Sequence, residues 1–184
     1  MNENLNKRGM SSTYTFLAVA VTLILIASAV WYFSTGGEGS GDNTTGIEID
    51  QIAPNFTLTD IDGEIFSLND HRGKVVVIDL MATWCGPCVA EMSHLKELYA
   101  NYGAQEVVIM SIDVDPSEGS EVIRQFKANY GDEWIFASGP GVGTTYGAIY
   151  IPTLYIIDKQ GRITYKNVGL TPYSTLAGEI DKLL

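Results

Sequence analysis

The segment VVVIDLMATWCGPC, residues 75–88, carries the strongest structural signal in the chain and contains both of its cysteines. Its first half is apolar and rich in β-branched residues, which predicts a buried strand over Lys74–Leu80. Trp84-Cys85-Gly86-Pro87-Cys88 then opens a stretch with helical spacing of apolar residues that extends to about Tyr102. Two thiols three residues apart at the start of a helix can close into a disulfide and open again, which is typical of dithiol–disulfide exchange.

A structural staple and a zinc pair are the alternative interpretations of Cys85 and Cys88. A disulfide across so short a loop constrains little of the unfolded chain, which disfavours the staple. Zinc needs four ligands, and only His71 and His94 remain, without a second CxxC motif. Residues 139–143 lack the Lys-Ser/Thr of a phosphate loop and are interpreted as a turn before a short helix. The sequence therefore predicts no metal site and no bound cofactor.

The N-terminal part of the chain predicts a membrane anchor. Residues 14–33 contain no charged residue, and as a helix they would span about 30 Å, enough to cross a bilayer. Lys7 and Arg8 precede them, so residues 1–13 are expected to be a cytoplasmic tail and the rest to lie outside the cytoplasm. A cleaved signal peptide is the alternative, because Ala27-Ser28-Ala29 resembles a cleavage site. Either interpretation exports the remainder of the chain.

The exported part divides into a linker and one domain. Residues 34–46 are rich in Gly, Ser and Thr, which predicts a flexible linker. Residues 47–184 have a length typical of a single domain. The formal net charge of the whole chain is −11 at pH 7, which argues against a nucleic-acid partner, since that partner would need a basic face.

Strand and helix signals alternate through the domain. They predict a hairpin around residues 60–63 and strands over 107–112, 134–137, 153–157 and 162–166, the last in a hairpin. A helix is predicted over 117–130, with Val122, Phe126 and Tyr130 on its inner stripe. A final helix is predicted to run to Leu184, with Thr171 as its cap and Pro172 as its first residue. This order predicts an α/β domain.

The WCGPC motif after a strand, followed later by Ile151-Pro152-Thr153 leading into another strand, resembles the thioredoxin fold. The predicted hairpin, Ala53-Pro54-Asn55-Phe56, the anchor and the long segment from Asp113 to Pro152 resemble the TlpA/ResA branch, a group of exported thiol–disulfide oxidoreductases. The resemblance implies a central mixed sheet flanked by helices, with an N-terminal β-hairpin and a central insert, preceded by one transmembrane helix.

The same resemblance implies roles for individual residues. Cys85 corresponds to the attacking thiol and Cys88 to the resolving thiol. Asp79 matches the buried acid of thioredoxins, Glu91 matches an acid of the ResA-like branch, and Pro152 matches the cis-proline that faces the disulfide. The chain departs from the family pattern where Ser93 replaces a common proline and Met81 replaces an aromatic residue.

The chemistry of these residue types agrees with the implied roles. A helix N-terminus favours a thiolate, so Cys85 is expected to be exposed and reactive, whereas Cys88, one turn further on, is expected to be shielded. Burial would raise the pKa of Asp79 and let it exchange a proton with Cys88; a solvent-facing carboxylate is the alternative. For Glu91 the alternative is an ordinary solvated helix residue. Trp84 and the backbone of Ile151 are expected to contact an extended substrate.

The resemblance implies reduction of disulfides in exported proteins, with electrons from a membrane carrier of the CcdA/DsbD type. Apocytochrome c thiols and the copper-centre cysteines of a terminal oxidase are the implied targets. An oxidase or isomerase on the same fold is the main alternative, since redox potentials vary widely within it. A thiol peroxidase would need a Thr-x-x-Cys motif preceded by proline, and a Sco-type copper chaperone would need wider cysteine spacing and a distal histidine.

Overall fold

The computed structural model describes residues 22–26, 44–103, 106–130 and 133–184. Residues 22–26 are helical and exposed. The predicted tail over residues 1–13 lies outside the described residues, as do most of the predicted anchor over 14–33 and of the predicted linker over 34–46. Within the described ranges, no helix has both the length and the apolar character needed to cross a bilayer. Contacts divide the chain into two units, 1–41 and 42–184, and the elements below belong to the second.

The described residues of this unit form strands and helices in alternation. The strands are β1 Thr57–Thr59, β2 Ile65–Ser67, β3 Val75–Met81, β4 Val107–Asp113, β5 Ile135–Ser138, β6 Thr153–Ile157 and β7 Ile163–Val168. The α-helices are α1 Gly86–Leu98, α2 Ser120–Tyr130, α3 Pro140–Thr145 and α4 Tyr173–Ile180. A 3-10 turn covers Leu68–His71, and a π-helical turn, Tyr99–Gly103, continues α1.

A mixed five-stranded sheet forms the centre of the domain, in the order β5-β4-β3-β6-β7. Strands β3, β4 and β5 are parallel, whereas β6 pairs antiparallel with β3 and with β7. Strands β1 and β2 form a separate antiparallel hairpin. All seven residues of β3 are buried, which explains its continuous apolar sequence, because a central strand is covered on both faces. The predicted thioredoxin-like α/β fold with a mixed sheet and an N-terminal hairpin is thus confirmed.

Alternate residues of β3 belong to two cores. Val75, Val77 and Met81 pack with residues of α1, α2 and α4, including Leu95, Ile123 and Leu176. Val76, Ile78 and Leu80 pack with residues of the hairpin and of α3, including Phe66 and Val142. The sheet is therefore sandwiched between a helical layer and a layer made by the hairpin and α3.

The buried stripe of α2 differs from the prediction. Ile123, Phe126 and Lys127 are buried, while Val122 is 45% exposed. The Nζ of Lys127 lies 2.5 Å from Asp62 Oδ2, so an ion pair accounts for this buried cation. The prediction followed an exact four-residue spacing, whereas the helix repeat of 3.6 residues brings positions 123, 126 and 127 to one face.

Two further predictions need correction. Residues 139–143 do not form a turn before a short helix, since Pro140 to Gly143 are already within α3. The last helix covers Tyr173–Ile180 and does not reach Leu184; Pro172 is its N-cap, and no side-chain hydrogen bond caps it. The hydroxyl of Thr171 instead accepts a hydrogen bond from Asn167, so it does not cap α4.

Candidate active site

The two cysteines lie where β3 gives way to α1. Cys85 is the N-cap of α1, and its Sγ accepts a hydrogen bond from the backbone N–H of Cys88 at 3.3 Å. Pro87 lies in the first turn, where a missing N–H breaks no helical hydrogen bond. The partly positive end of the helix therefore points at Cys85, which favours a thiolate there when the disulfide is open.

Cys85 and Cys88 form a disulfide, with their Cα atoms 5.2 Å apart. Cys85 keeps 5% of its surface exposed and Cys88 none, so Cys85 is the more accessible sulfur, as predicted. The expectation of an exposed Cys85 is too strong for this oxidised state. Its Sγ lies 3.7 Å from the carbonyl oxygen of Ile151, in the loop that precedes β6.

The loop opposite the disulfide contains the predicted cis-proline. The Ile151–Pro152 peptide bond is cis, as the resemblance implies. The carbonyl of Pro152 accepts a hydrogen bond from Gly169 N–H at 2.7 Å, which fixes this loop to the segment after β7. The structure thus brings Cys85, Ile151 and Pro152 together from distant parts of the sequence.

A cleft of about 340 Å³ opens beside the disulfide. Trp84, Val114, Ile149 and Ile151 form apolar parts of its wall, and Asp115 supplies a carboxylate. Ile149 is 84% exposed and Trp84 67% exposed. Large exposed apolar side chains around a cleft are typical of a protein-binding surface. The sequence analysis missed Ile149, although its position just before Ile151-Pro152 could have indicated it.

Asp79 is buried at 0% exposure in the middle of β3. The Ser111 hydroxyl donates to its Oδ2 at 3.0 Å, while no hydrogen-bond partner for its Oδ1 exists among the described residues. Burial raises the pKa of Asp79 well above its usual value, and the nearby carboxyl of Glu91 raises it further. The alternative of a solvent-facing carboxylate is therefore wrong.

Glu91 is also fully buried, one turn beyond Cys88. Its Oε1 accepts a hydrogen bond from Thr171 N–H at 2.9 Å, but within the described residues its Oε2 has no partner. Burial raises the pKa of Glu91 to about 7, against the opposing effect of the Thr171 hydrogen bonds. The alternative of a solvated helix residue is wrong, and Asp79 and Glu91 form a pair of buried acids that interact electrostatically.

The loop after β4 holds the two residues that precede Cys85. Both carboxylate oxygens of Glu118 accept hydrogen bonds from Thr83: the backbone N–H donates to Oε2 at 2.8 Å, and the hydroxyl donates to Oε1. The indole N–H of Trp84 donates to Asp115 Oδ2 at 2.7 Å. Glu118 and Asp115, in the loop after β4, therefore bind Thr83 and Trp84, the two residues before Cys85.

Asp113 is buried beneath this loop, at the end of β4. Its Oδ1 accepts a hydrogen bond from Asp115 N–H at 2.9 Å. Burial raises the pKa of Asp113 to about 8, and the neighbouring carboxyl of Glu118 contributes to the rise. Burial opposes ionisation of Glu118, but the neighbouring Asp113 and hydrogen bonds from Thr83 leave the pKa of Glu118 below its usual value. The Oδ2 of Asp113 has no hydrogen-bond partner among the described residues.

The sequence analysis assigned no role to these acids, although a signal for them exists. Strands β3 and β4 are parallel neighbours, with Met81 opposite Asp113. The carboxyl ends of both strands therefore lie at one edge of the sheet. An acid-rich segment after β4 should face the motif that follows β3, and recognising this requires knowing that the two strands are adjacent.

Neither histidine joins the disulfide. His94 is half-buried, with Nδ1 2.9 Å from the Thr171 carbonyl oxygen, so it contacts the loop between β7 and α4. His71 ends the 3-10 turn before β3. Among the residues that the structure describes, no group of three or more His, Cys, Asp or Glu side chains is arranged to hold a metal ion.

Comparisons with known proteins agree with this geometry. The model of the AhpC/TSA family matches residues 49–166. The chain is 32% identical over 165 residues to the thiol-disulfide oxidoreductase ResA of Bacillus thuringiensis (strain Al Hakam). The aligned region covers 89% of this chain and 93% of that protein. The chain is 33% identical over 138 residues to the thioredoxin-like protein YneN of Bacillus subtilis (strain 168), covering 74% of this chain and 81% of that protein.

A solved structure shows the same fold. A thiol:disulfide interchange protein of the DsbE type from Chlorobium tepidum superimposes with a TM-score of 0.65 and 26% sequence identity, covering 78% of this chain and 99% of that one. The sheet order, the disulfide at the start of α1 and these matches lead to one assignment. The chain belongs to the AhpC/TSA family of thioredoxin-like proteins and is a thiol–disulfide oxidoreductase of the ResA/DsbE type.

Proposed function

We propose that this protein is anchored in the cell membrane by residues 14–33 and reduces disulfides of exported proteins with Cys85 and Cys88. One observation carries the proposal: Cys85, which lies at a helix N-terminus and is 5% exposed, is bonded to the fully buried Cys88 near a cleft with exposed apolar side chains. Such a pair allows the first sulfur to form a mixed disulfide with another protein, while the second sulfur stays shielded until it resolves that intermediate.

The reaction begins with the Cys85 thiolate, which attacks one sulfur of the target disulfide. A bond forms between Cys85 and that sulfur, the target's own S–S bond breaks, and the second target sulfur leaves as a thiolate. Trp84 and Ile149 offer apolar surface to the target beside this bond, and the backbone of Ile151 can pair with an extended segment of it.

Cys88 completes the exchange by attacking the Sγ of Cys85. The Cys85–Cys88 disulfide forms, and the target is released with both of its sulfurs reduced, having gained two electrons. Cys88 must first lose its proton, and the acid pair of Asp79 and Glu91 is the proposed acceptor. With a pKa of about 7, Glu91 is partly ionised at neutral pH. The Asp79–Glu91 pair can therefore accept one more proton.

The oxidised protein must then regain two electrons and two protons. The proposed donor is a dithiol of a membrane carrier of the CcdA/DsbD type, which reverses the same two exchanges. The proposed targets are the thiols of apocytochrome c or the copper-centre cysteines of a terminal oxidase. The curated ResA relatives, at 32% identity over most of both chains, support an oxidoreductase that acts on protein disulfides.

The redox state of Cys85 and Cys88 in living cells tests the direction of electron flow. Cells are quenched with acid and free thiols are then labelled with a mass-tagged reagent. A reductase supplied by a membrane carrier is held mostly reduced, and deleting the carrier shifts it to the disulfide. A protein held mostly oxidised in the presence of the carrier contradicts the proposal and supports the oxidase alternative.

The membrane location is tested separately. The full chain should sediment with membranes and resist extraction by high salt or carbonate. A membrane-impermeant thiol reagent should label Cys85 in intact cells after mild reduction. Release of a shortened chain that begins near Val30 into the soluble fraction would support the cleaved signal peptide instead.

A further inference from the structure

Two acids in the loop after β4 bind the peptide that leads into Cys85, a third acid ends β4, and the proposed mechanism uses none of them. Glu118 binds the backbone N–H and the hydroxyl of Thr83, and Asp115 binds the Trp84 indole. Asp113, fully buried at the end of β4, accepts a hydrogen bond from the backbone N–H of Asp115. These contacts join segments that are 35 residues apart in sequence.

The charge of this cluster is not balanced by a paired cation. In the part of the chain that the structure describes, no ion pair connects Asp113, Asp115 or Glu118 to a lysine, arginine or histidine. Hydrogen bonds from Ser117 and Trp84 lower the pKa of Asp115. Asp115 and Glu118 are therefore both ionised at neutral pH, while Asp113 keeps its proton.

The Glu118 carboxylate lies close to the attacking sulfur. Thr83 and Cys85 are two residues apart, so their Cα atoms are separated by no more than about 7 Å. Since Glu118 Oε2 lies 2.8 Å from the backbone N of Thr83, its charge lies no more than about 11 Å from the Cα of Cys85. At that distance a carboxylate opposes the formation of a second negative charge.

We propose that Glu118 is a positioning residue for Cys85: it fixes the Thr83–Trp84 peptide before the attacking sulfur, and its negative charge opposes thiolate formation there. The N-terminus of α1 and Glu118 then act on Cys85 in opposite directions. A dithiol whose thiolate is less stabilised gives up its electrons more readily, so the cluster favours reduction of other disulfides. The inference concerns the oxidoreductase activity and holds for either direction of electron flow.

The test measures the rate of iodoacetamide alkylation of Cys85 from pH 5 to 10, in the full chain with Cys88→Ser so that only one thiol reacts. Glu118→Gln keeps an acceptor for Thr83 and removes the charge. Its alkylation midpoint should fall by roughly 0.5 to 1 pH unit, as expected for one charge about 10 Å away at an effective dielectric constant of about 20 to 40. Glu97→Gln, which removes an exposed charge on α1, should leave the midpoint unchanged. Equal midpoints for the two variants would overturn the proposal.

Thr83→Val provides a second measurement, should Glu118→Gln fail to fold by circular dichroism. It keeps the backbone N–H that donates to Glu118 Oε2 and removes the hydroxyl that donates to Oε1. The Glu118 charge is then held less firmly beside Cys85, so the alkylation midpoint should fall, by less than in Glu118→Gln. A midpoint equal to that of the parent would contradict the proposal. A purely structural role would change the melting temperature without moving the midpoint. Because iodoacetamide replaces any protein substrate, this result does not depend on the direction of electron flow.

Discussion

Glu91→Gln should stabilise the folded protein, and the gain should depend on pH. The pKa of Glu91 is raised from 4.5 to about 7 by burial, so the folded state binds this proton more tightly than the unfolded state does. Stability from that proton is fully present below pH 4.5 and is lost as pH rises to about 7. At about 1.4 kcal/mol per pKa unit, the loss amounts to about 3 kcal/mol.

Glutamine has the shape of the acid and no charge, so it avoids this loss. Its amide oxygen can accept the Thr171 N–H. We expect the variant and the parent to have similar stability at pH 4.5. By pH 8 the variant should be more stable by up to about 3 kcal/mol.

The assay is urea denaturation of the full chain in a mild detergent, which gives the free energy of unfolding at several pH values from 4.5 to 8.5. The protein is kept in its disulfide form so that the cysteines do not titrate. Glu97→Gln, which removes an exposed carboxylate from the same helix, is the matched control and should give a small difference that is the same at every pH. If Glu91→Gln and the parent differed by a constant amount across this range, the assignment of a buried, proton-binding Glu91 would be refuted.

Two other predictions concern turnover. Asp79→Asn should slow the release of the mixed disulfide by about 10²-fold or more, as expected for loss of a proton acceptor, and should leave formation of the mixed disulfide unchanged. Rapid-quench kinetics that showed equal effects on both steps would reject this role. Ile149→Ser removes an apolar side chain that is 84% exposed at the cleft and should raise KM for a protein disulfide several-fold with kcat unchanged. The same variant should not affect a small acyclic disulfide such as bis(2-hydroxyethyl) disulfide, and a matching loss with both substrates would argue against a contact with the polypeptide.

The elements around the disulfide could be predicted because their signals are local. Strand β3 is covered on both faces and so is apolar throughout, and the CxxC spacing places both cysteines in the first turn of α1. The resemblance added the cis-proline, which no short stretch of sequence would establish. These features needed no knowledge of which strands are neighbours.

The rest depends on contacts between distant segments. That Thr171 binds Glu91 and His94, and does not cap α4, follows only once α1 and the loop after β7 are side by side. The burial of Lys127 depends on its ion pair with Asp62, which is 65 positions away in sequence. The contact between Glu118 and Thr83 likewise joins two residues that are 35 positions apart in sequence. Tertiary contacts of this kind decide the partners of polar side chains, and periodicity carries no information about them.

The comparative reactivity of the two thiols in the reduced protein tests the account most directly. Brief treatment of the full chain with iodoacetamide at pH 7, followed by denaturation and labelling of the remaining thiol with a heavy-isotope reagent, assigns each modification by peptide mass. The account predicts that Cys85 is modified at least ten times faster than Cys88, since the helix N-terminus and residual access act on Cys85 alone. Equal rates at the two cysteines, or faster modification of Cys88, would contradict it.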